Sequence, residues 1–237
     1  MRQTTVLGTT AYDYAGQFVS SVIPESMLPR GTHCVEIHSS SVSLDRYYQL
    51  DASEQQLVEK AVDRRKADFG DSRWCAHEAM RHFIEDEPIM RGERGMPVFP
   101  EGVTGSLTHT EGFRAAIVGR SSRWRSLGID AEPADSLPEG VYNAVARPEE
   151  QRRLRRLTRH EGYEFLDKVL FSAKESTYKA WFPLTHRFLD FDQADIDIRP
   201  DGSFKSYLLT RPVPVPFIEG RWAVRKGYVV TFAGVRR

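Results

Sequence analysis

The chain has 237 residues, 40% hydrophobic and 28% charged, with a formal net charge of zero. That length suits one large domain or two of roughly 110–120 residues. The balance is that of a soluble globular protein, and it excludes a molecule that binds nucleic acid through overall positive charge. The opening MRQTTVLGTTAYDY has no hydrophobic signal core, and no apolar run approaches the ~18 residues of a membrane span. A cytoplasmic protein with no membrane anchor is therefore expected. Two cysteines, Cys34 and Cys75, imply no disulfide framework.

In chain order, residues 12–30 read as a strand or short helix followed by a loop with Pro24 and Pro29. CVEIHSS, 34–40, alternates as a strand does. DASEQQLVEKAVDRRKADF, 51–69, predicts a helix capped by Asp51 or Ser53, and SRWCAHEAMRHFI, 72–84, a second one. Pro88, Gly92, Gly95, Pro97 and Pro100 mark a loop-rich segment. VTGSLTHTEGFRAAIVGR, 103–120, predicts two strands around a turn at Glu111-Gly112, and LGIDAE, 127–132, a further strand. RPEEQRRLRRLTRH, 147–160, reads as a charged helix, and a second helical pattern runs from about Tyr163 to Phe182. From about Phe188 onward the pattern is β. This order predicts an α+β fold with antiparallel sheets, divided near 120–126.

The second helical pattern carries FSAKESTYKAW, 171–181. At about 100° per residue, Leu166, Leu170, Phe171, Tyr178, Trp181 and Phe182 form one apolar arc. Lys174 points into that arc, whereas Glu175 stands at its edge with Lys179 one turn on. Charges so placed are seldom buried unpaired. Two readings stay open: a snorkelling lysine beside a surface i,i+4 pair, or one wall of a charged site.

Other residues invite chemistry. In LGIDAEP, Asp130 and Glu132 share a strand face, as two carboxylates facing a hard divalent cation would, or as a solvated strand end before Pro133 would. His109 adjoins the turn in GSLTHTEG and suits a base or a phosphate partner. Arg64, Arg65, Arg73, Arg91 and Arg94 offer guanidinium forks that match phosphate oxygens, or are merely solvated. Cys75 and His77 form a weak candidate for a metal or nucleophile pair, since further ligands at zinc spacing are absent.

The order G-S-L-T-H, then G-I-D-x-E, then F-S-x-K-E-S-x-Y-K-A resembles the 4′-phosphopantetheinyl transferases. It resembles the monomeric, two-subdomain type, including the surfactin-synthetase-activating and enterobactin-type enzymes, and its wording is closest to actinobacterial members. The likeness covers roughly residues 60–182. It implies two similar α/β subdomains related by a pseudo-twofold, 1–122 and 123–237, each with an antiparallel sheet and helices, and an active site in the cleft between them. It implies coenzyme A as substrate, Mg²⁺ (or Mn²⁺) as cofactor and an acyl or peptidyl carrier protein as partner, with 3′,5′-ADP released. Fatty-acid, polyketide, non-ribosomal peptide or siderophore synthesis would supply that carrier.

By the resemblance, Asp130, Glu132 and Glu175 hold the metal, and Glu175, Lys179 and Asp130 are catalytic. Lys174 and Lys179 meet the coenzyme A phosphates. Thr108 and His109, in the S-x-x-H segment, join them on the nucleotide side. Arg64 or Arg65, with Arg73, clamps the 3′-phosphate and adenine region, and Arg91 and Arg94 lie in the loop against the nucleotide. Ala131 stands where some members carry a larger residue. The Arg-rich 147–160 segment suits an acidic carrier. Two rival readings are a Mg²⁺-dependent nucleotide phosphohydrolase and a non-catalytic coenzyme A-binding module.

Overall fold

The structure is a computed structural model and describes residues 8–39 and 41–237. Residues 1–7, on which the reading of the N-terminus partly rests, lie outside it, as does Ser40 at the end of the expected 34–40 strand.

The first half begins with β1 (Thr9–Asp13) and β2 (Thr32–His38). Three helices follow: α1 (Asp45–Gln49), α2 (Ala52–Gln56) and α3 (Asp63–Met80). A short ribbon of β3 (Met90–Arg91) and β4 (Pro97–Val98) precedes the hairpin β5 (Val103–Thr110) and β6 (Phe113–Arg120). The sheet order is β1-β2-β6-β5. Its turn falls at Glu111-Gly112, as predicted. One pair departs from the antiparallel expectation: β1 runs parallel to β2.

The helices of this half also differ from expectation. The helix begun at Asp51, whose side chain accepts from Ser53 N–H over 2.8 Å, ends at Gln56. The next helix then runs unbroken through 69–72. The cause is Glu54, which is fully buried against Arg73 and His77 of α3. A continuous helix would hold residues 54 and 73 about 28 Å apart, so the chain must fold back at 57–62. Gly70, mid-helix, lets α1 pack closely, since a Cβ there would meet the Tyr47 backbone at 2.6 Å.

The second half opens with β7 (Trp124–Pro133), followed by α4 (Glu139–Val145), α5 (Pro148–Glu161) and α6 (Leu166–Thr185). It closes with β8 (Ala194–Ile198), β9 (Ser203–Leu208), β10 (Phe217–Arg225) and β11 (Tyr228–Arg236). Helix α4 was not expected. The sheet order is β7-β11-β10-β9-β8, every pair antiparallel.

Three apolar clusters stack the layers. Cys75, Ala76, Ala79 and Met80 of α3 cover one face of the first sheet through Val35, Ile37, Ala116 and Val118. Its other face, through Cys34, Phe113, Ala115 and Ile117, meets Leu127, Ile129, Ala131, Val230 and Phe232 of the second. Helix α6 covers the far face of the second sheet with Leu166, Val169, Leu170, Ala173, Ala180 and Trp181. Strand alternation therefore directs Asp130 and Glu132 away from the sheet–sheet interface and toward α6. Of the expected arc, Phe171 and Tyr178 are only partly buried. Both cysteines are buried and free.

Candidate active site

Two adjoining strand edges bring the halves together. Ile129 N–H donates to Ser106 Oγ and Ala131 N–H to Thr108 Oγ1, each over 3.1 Å. Hydroxyls of β5 thus satisfy the free backbone donors on the outer edge of β7, where a ladder strand would otherwise be needed. Thr108, expected at the nucleotide, is 3% exposed and occupied in this seam.

Helix α6 approaches β7 closely because residue 128 is glycine. A Cβ there would run into the Ser176 carbonyl oxygen. That approach sets the acids of LGIDAE against the charges of KESTYK. Lys179 Nζ donates to Asp130 Oδ1 over 2.8 Å and to the Ile129 carbonyl over 2.9 Å. It does not pair with Glu175, so the surface i,i+4 reading fails: its partner is 49 residues away. Among the described residues, no side chain donates to Glu132 or Glu175. Burial, and then the charge of Asp130, pushes the Glu132 carboxyl up to about 7 and raises Glu175 above the usual carboxylate range. Lys179 opposes the rise at both carboxyls, and Lys168 also at Glu132, without cancelling it.

Lys174 takes a different course from the one expected. It is 3% exposed, and its Nζ lies 2.9 Å from Glu150 Oε2 of α5 and donates to the carbonyls of Phe191 and Ala194. Glu150 also accepts from Ile196 N–H and Arg147 N–H. Burial depresses the Lys174 ammonium pKa, with Glu150 opposing the effect. All three ammonium protons have acceptors, so Lys174 joins α6 to α5 and β8 and has no donor to spare for a phosphate.

A cavity of about 370 Å³ lies between the halves. Its walls include Arg65 and Arg73 of α3, His109 of β5, Arg91 and Arg94 around the β3–β4 ribbon, and Lys179 of α6. Of the pair left open, Arg65 faces the cavity and lies 3.4 Å from His109 Nε2. Arg64 is half-exposed and turns along the helix to Asp68. His109 is exposed to the open cavity, yet the protein crowded around its ring, with Arg65 and Lys179 adding to the effect and Asp68 opposing, lowers its pKa, which favours the neutral imidazole. Arg73 reaches the wall but is heavily engaged, with Glu54 at 3.4 Å and the Ile89 and Met90 carbonyls as acceptors. His77 stands between Glu54 and Asp86, so the Cys75–His77 pair is not a reactive dyad. Tyr178 lines both this cavity and a smaller one of about 230 Å³ beside Glu175.

A family model described as "4′-phosphopantetheinyl transferase N-terminal domain" matches residues 53–119, and one described as "4′-phosphopantetheinyl transferase superfamily" matches residues 126–233. The chain is 44% identical over 188 residues to the 4′-phosphopantetheinyl transferase Svp of Streptomyces mobaraensis, covering 75% of each protein. It is 39% identical over 222 residues to Npt of Nocardia iowensis, covering 87% of this chain and 97% of that protein. It is 38% identical over 227 residues to PptT of Mycobacterium tuberculosis, covering 91% and 97%. The chain belongs to the 4′-phosphopantetheinyl transferases.

As such a transferase, it presents a charged cavity between its halves and three acids where α6 meets β7. Among its described residues no helix is long and apolar enough to cross a membrane. The acids match a hard divalent cation in kind, being oxygen donors with two carboxylates left without a donor. Among the described residues no three acids or imidazoles converge as a ready-made cage. Mg²⁺ commonly takes only one or two carboxylates and completes its shell with water and substrate phosphates, so the donor set fits. Several residues that shape this site were not singled out from the sequence: Ser106 and Ser172, although both lie inside quoted motifs, and Thr231, Glu54 and Glu150. Of the last three, only Glu150 had a local cue, standing three residues after Arg147 at a helix start.

Proposed function

We propose that this transferase moves 4′-phosphopantetheine from coenzyme A to a serine of an acyl or peptidyl carrier protein, releasing 3′,5′-ADP. The observation that carries the reading is the meeting of Lys179 and Asp130 at 2.8 Å, beside Glu132 and Glu175, at the edge of an arginine-lined cavity. The halves 1–122 and 123–237 supply opposite walls of that cavity. Arg65, Arg91 and Arg94 bind the phosphates of the nucleotide, with neutral His109 as a hydrogen-bond partner. Arg73 braces the ribbon that carries Arg91 rather than acting as a free clamp.

Asp130, Glu132 and Glu175 would hold Mg²⁺ or Mn²⁺, which when bound neutralises charge on the pyrophosphate oxygens. Lys179 adds a fixed positive charge next to the same oxygens. The carrier serine Oγ forms a bond to the β-phosphorus, and the bond from that phosphorus to the bridging oxygen breaks. 3′,5′-ADP leaves with the electron pair. Glu175, directly or through a water, takes the serine proton.

Incubation with coenzyme A, Mg²⁺ and a panel of apo carrier proteins is expected to add one phosphopantetheine to a carrier, read by intact-protein mass spectrometry. Coenzyme A cleavage with no adduct on any carrier would replace this reading with hydrolysis. Binding without turnover would replace it with a coenzyme A-binding module.

The outward face of α5 offers a docking surface for an acidic partner. Arg155, Arg156 and Arg159 are exposed, Arg152 is held by Glu149 at 2.9 Å, and Arg153 turns back to Asp195. Leu154 is buried in the core and Leu157 packs against it, so the carrier would meet the charged face. Charge reversal at Arg152 and Arg156 is expected to raise KM for the carrier severalfold, with KM for coenzyme A unchanged. Steady-state kinetics with each substrate varied checks this, and equal effects on both would remove α5 from the docking surface.

A further inference from the structure

Asp130 differs from the other two acids in being gripped from behind. Ser172 Oγ–H donates to Asp130 Oδ2 over 2.8 Å. Ser172 Oγ lies 2.9 Å from Thr231 Oγ1, which in turn lies 3.0 Å from Ser176 Oγ. None of these three hydroxyl residues has any exposed surface. Thr231 is the partner of Asp130 in the β7–β11 register, and Ser172 and Ser176 stand one turn apart on α6. The close approach permitted by Gly128 is what brings the helix hydroxyls within reach of the strand.

An ionised carboxylate only accepts, so the Ser172 hydroxyl proton is committed to Asp130. The oxygen of Ser172 is then free to accept. Thr231 has three acceptors in range: the Ser172 carbonyl at 2.8 Å, Ser172 Oγ and Ser176 Oγ. The Ser176 hydroxyl has its own acceptor in the Ala173 carbonyl at 3.2 Å. Thr231 has one proton for these three acceptors, the Ser172 carbonyl being the nearest, so the bond directed at Asp130 is that of Ser172, which Thr231 holds in place in dry surroundings where each hydrogen bond counts for more than in water. Asp130 Oδ1 faces the other way and accepts from Lys179.

We propose that Ser172, backed by Thr231, is a positioning residue that commits one oxygen of Asp130 to the protein and presents the other to Lys179 and the cation. Asp130 is thereby restricted to a single-oxygen ligand in a fixed orientation. Because Ser172, Glu175 and Lys179 all stand on α6, one helix holds the carboxylate from behind and supplies the groups in front of it. This inference rests on the proposed role of Asp130 as a metal ligand.

The test is Mn²⁺ binding to the full chain with coenzyme A present, followed by electron paramagnetic resonance of free Mn²⁺, with thermal melting alongside. Ser172→Ala is expected to weaken Mn²⁺ binding about tenfold or more, the usual consequence of losing a hydrogen bond to a ligating group. Thr231→Val, which keeps the shape and loses the hydroxyl, is expected to weaken it by a smaller factor. Thr231→Ser, which keeps the hydroxyl, is expected to stay within about twofold of the parent. A folded Ser172→Ala that binds Mn²⁺ as the parent does would overturn the proposal with the metal site left standing. Should Ser172→Ala fail to fold, the threonine pair decides: equal loss in Thr231→Ser and Thr231→Val would show packing alone and overturn it. A parent protein that binds no Mn²⁺ with coenzyme A would overturn both the metal reading and this one.

Discussion

Glu175→Gln is expected to lower kcat by roughly 10²–10⁴-fold, the range for loss of a general base, with coenzyme A still bound. The substitution keeps size and shape, so helix packing is preserved. It removes the group proposed to accept the serine proton and also one of the three carboxylates proposed to hold the cation, so kcat is compared at saturating Mg²⁺. No side chain among the described residues donates to Glu175, so the loss would not come from a broken protein contact. Arg65, Arg91, Arg94 and His109 line the cavity from the other half and are untouched, so coenzyme A affinity measured by calorimetry is expected to change little. Unchanged turnover would remove Glu175 from the reaction.

The second large effect falls on folding. Lys174→Ala is expected to destabilise the protein by about 3–5 kcal/mol, since it leaves a buried carboxylate without its cation. The Lys174 and Glu150 side chains are 2% and 0% exposed, so water cannot replace the lost partner. For a chain of this size the melting temperature should fall by roughly 6–20 °C. The double replacement Lys174→Met with Glu150→Gln should recover part of that loss, because the charge is gone and Gln Oε1 still accepts from Ile196 N–H, although Gln Nε2 cannot accept from Arg147 N–H. Differential scanning calorimetry checks both. KM for coenzyme A is expected to stay at the parent value in the folded fraction. A Lys174→Ala protein with parent stability and a raised KM for coenzyme A would return this lysine to the phosphate site.

The two lysines of the same helix show where local reading ends. They stand five residues apart, hence about 140° apart around the helix axis. Lys179 faces β7 and reaches Asp130, whereas Lys174 faces α5 and reaches Glu150. The family resemblance placed both at one site, but different tertiary neighbours claim each of them. Thr108 follows the same logic: its hydroxyl was legible as a ligand group, and the donor it meets is a strand edge from the other half. The choice between Arg64 and Arg65 also turned on neighbours, because adjacent helical residues point about 100° apart and only one direction leads into the cavity.

By itself the sequence determined the family, through three motifs in order, and the strand and helix periodicities that make the fold α+β. It determined that Asp130 and Glu132 share a face, because strand alternation is a local property of the backbone. The tertiary structure alone decided the break at 57–62, the parallel β1–β2 pair, the partner of each lysine and the hydroxyl chain behind Asp130. Each of those depends on contacts between residues far apart in the chain. In each, the governing energy is the cost of burying a charge or a polar group without a partner, and no local pattern reveals which partner will be there.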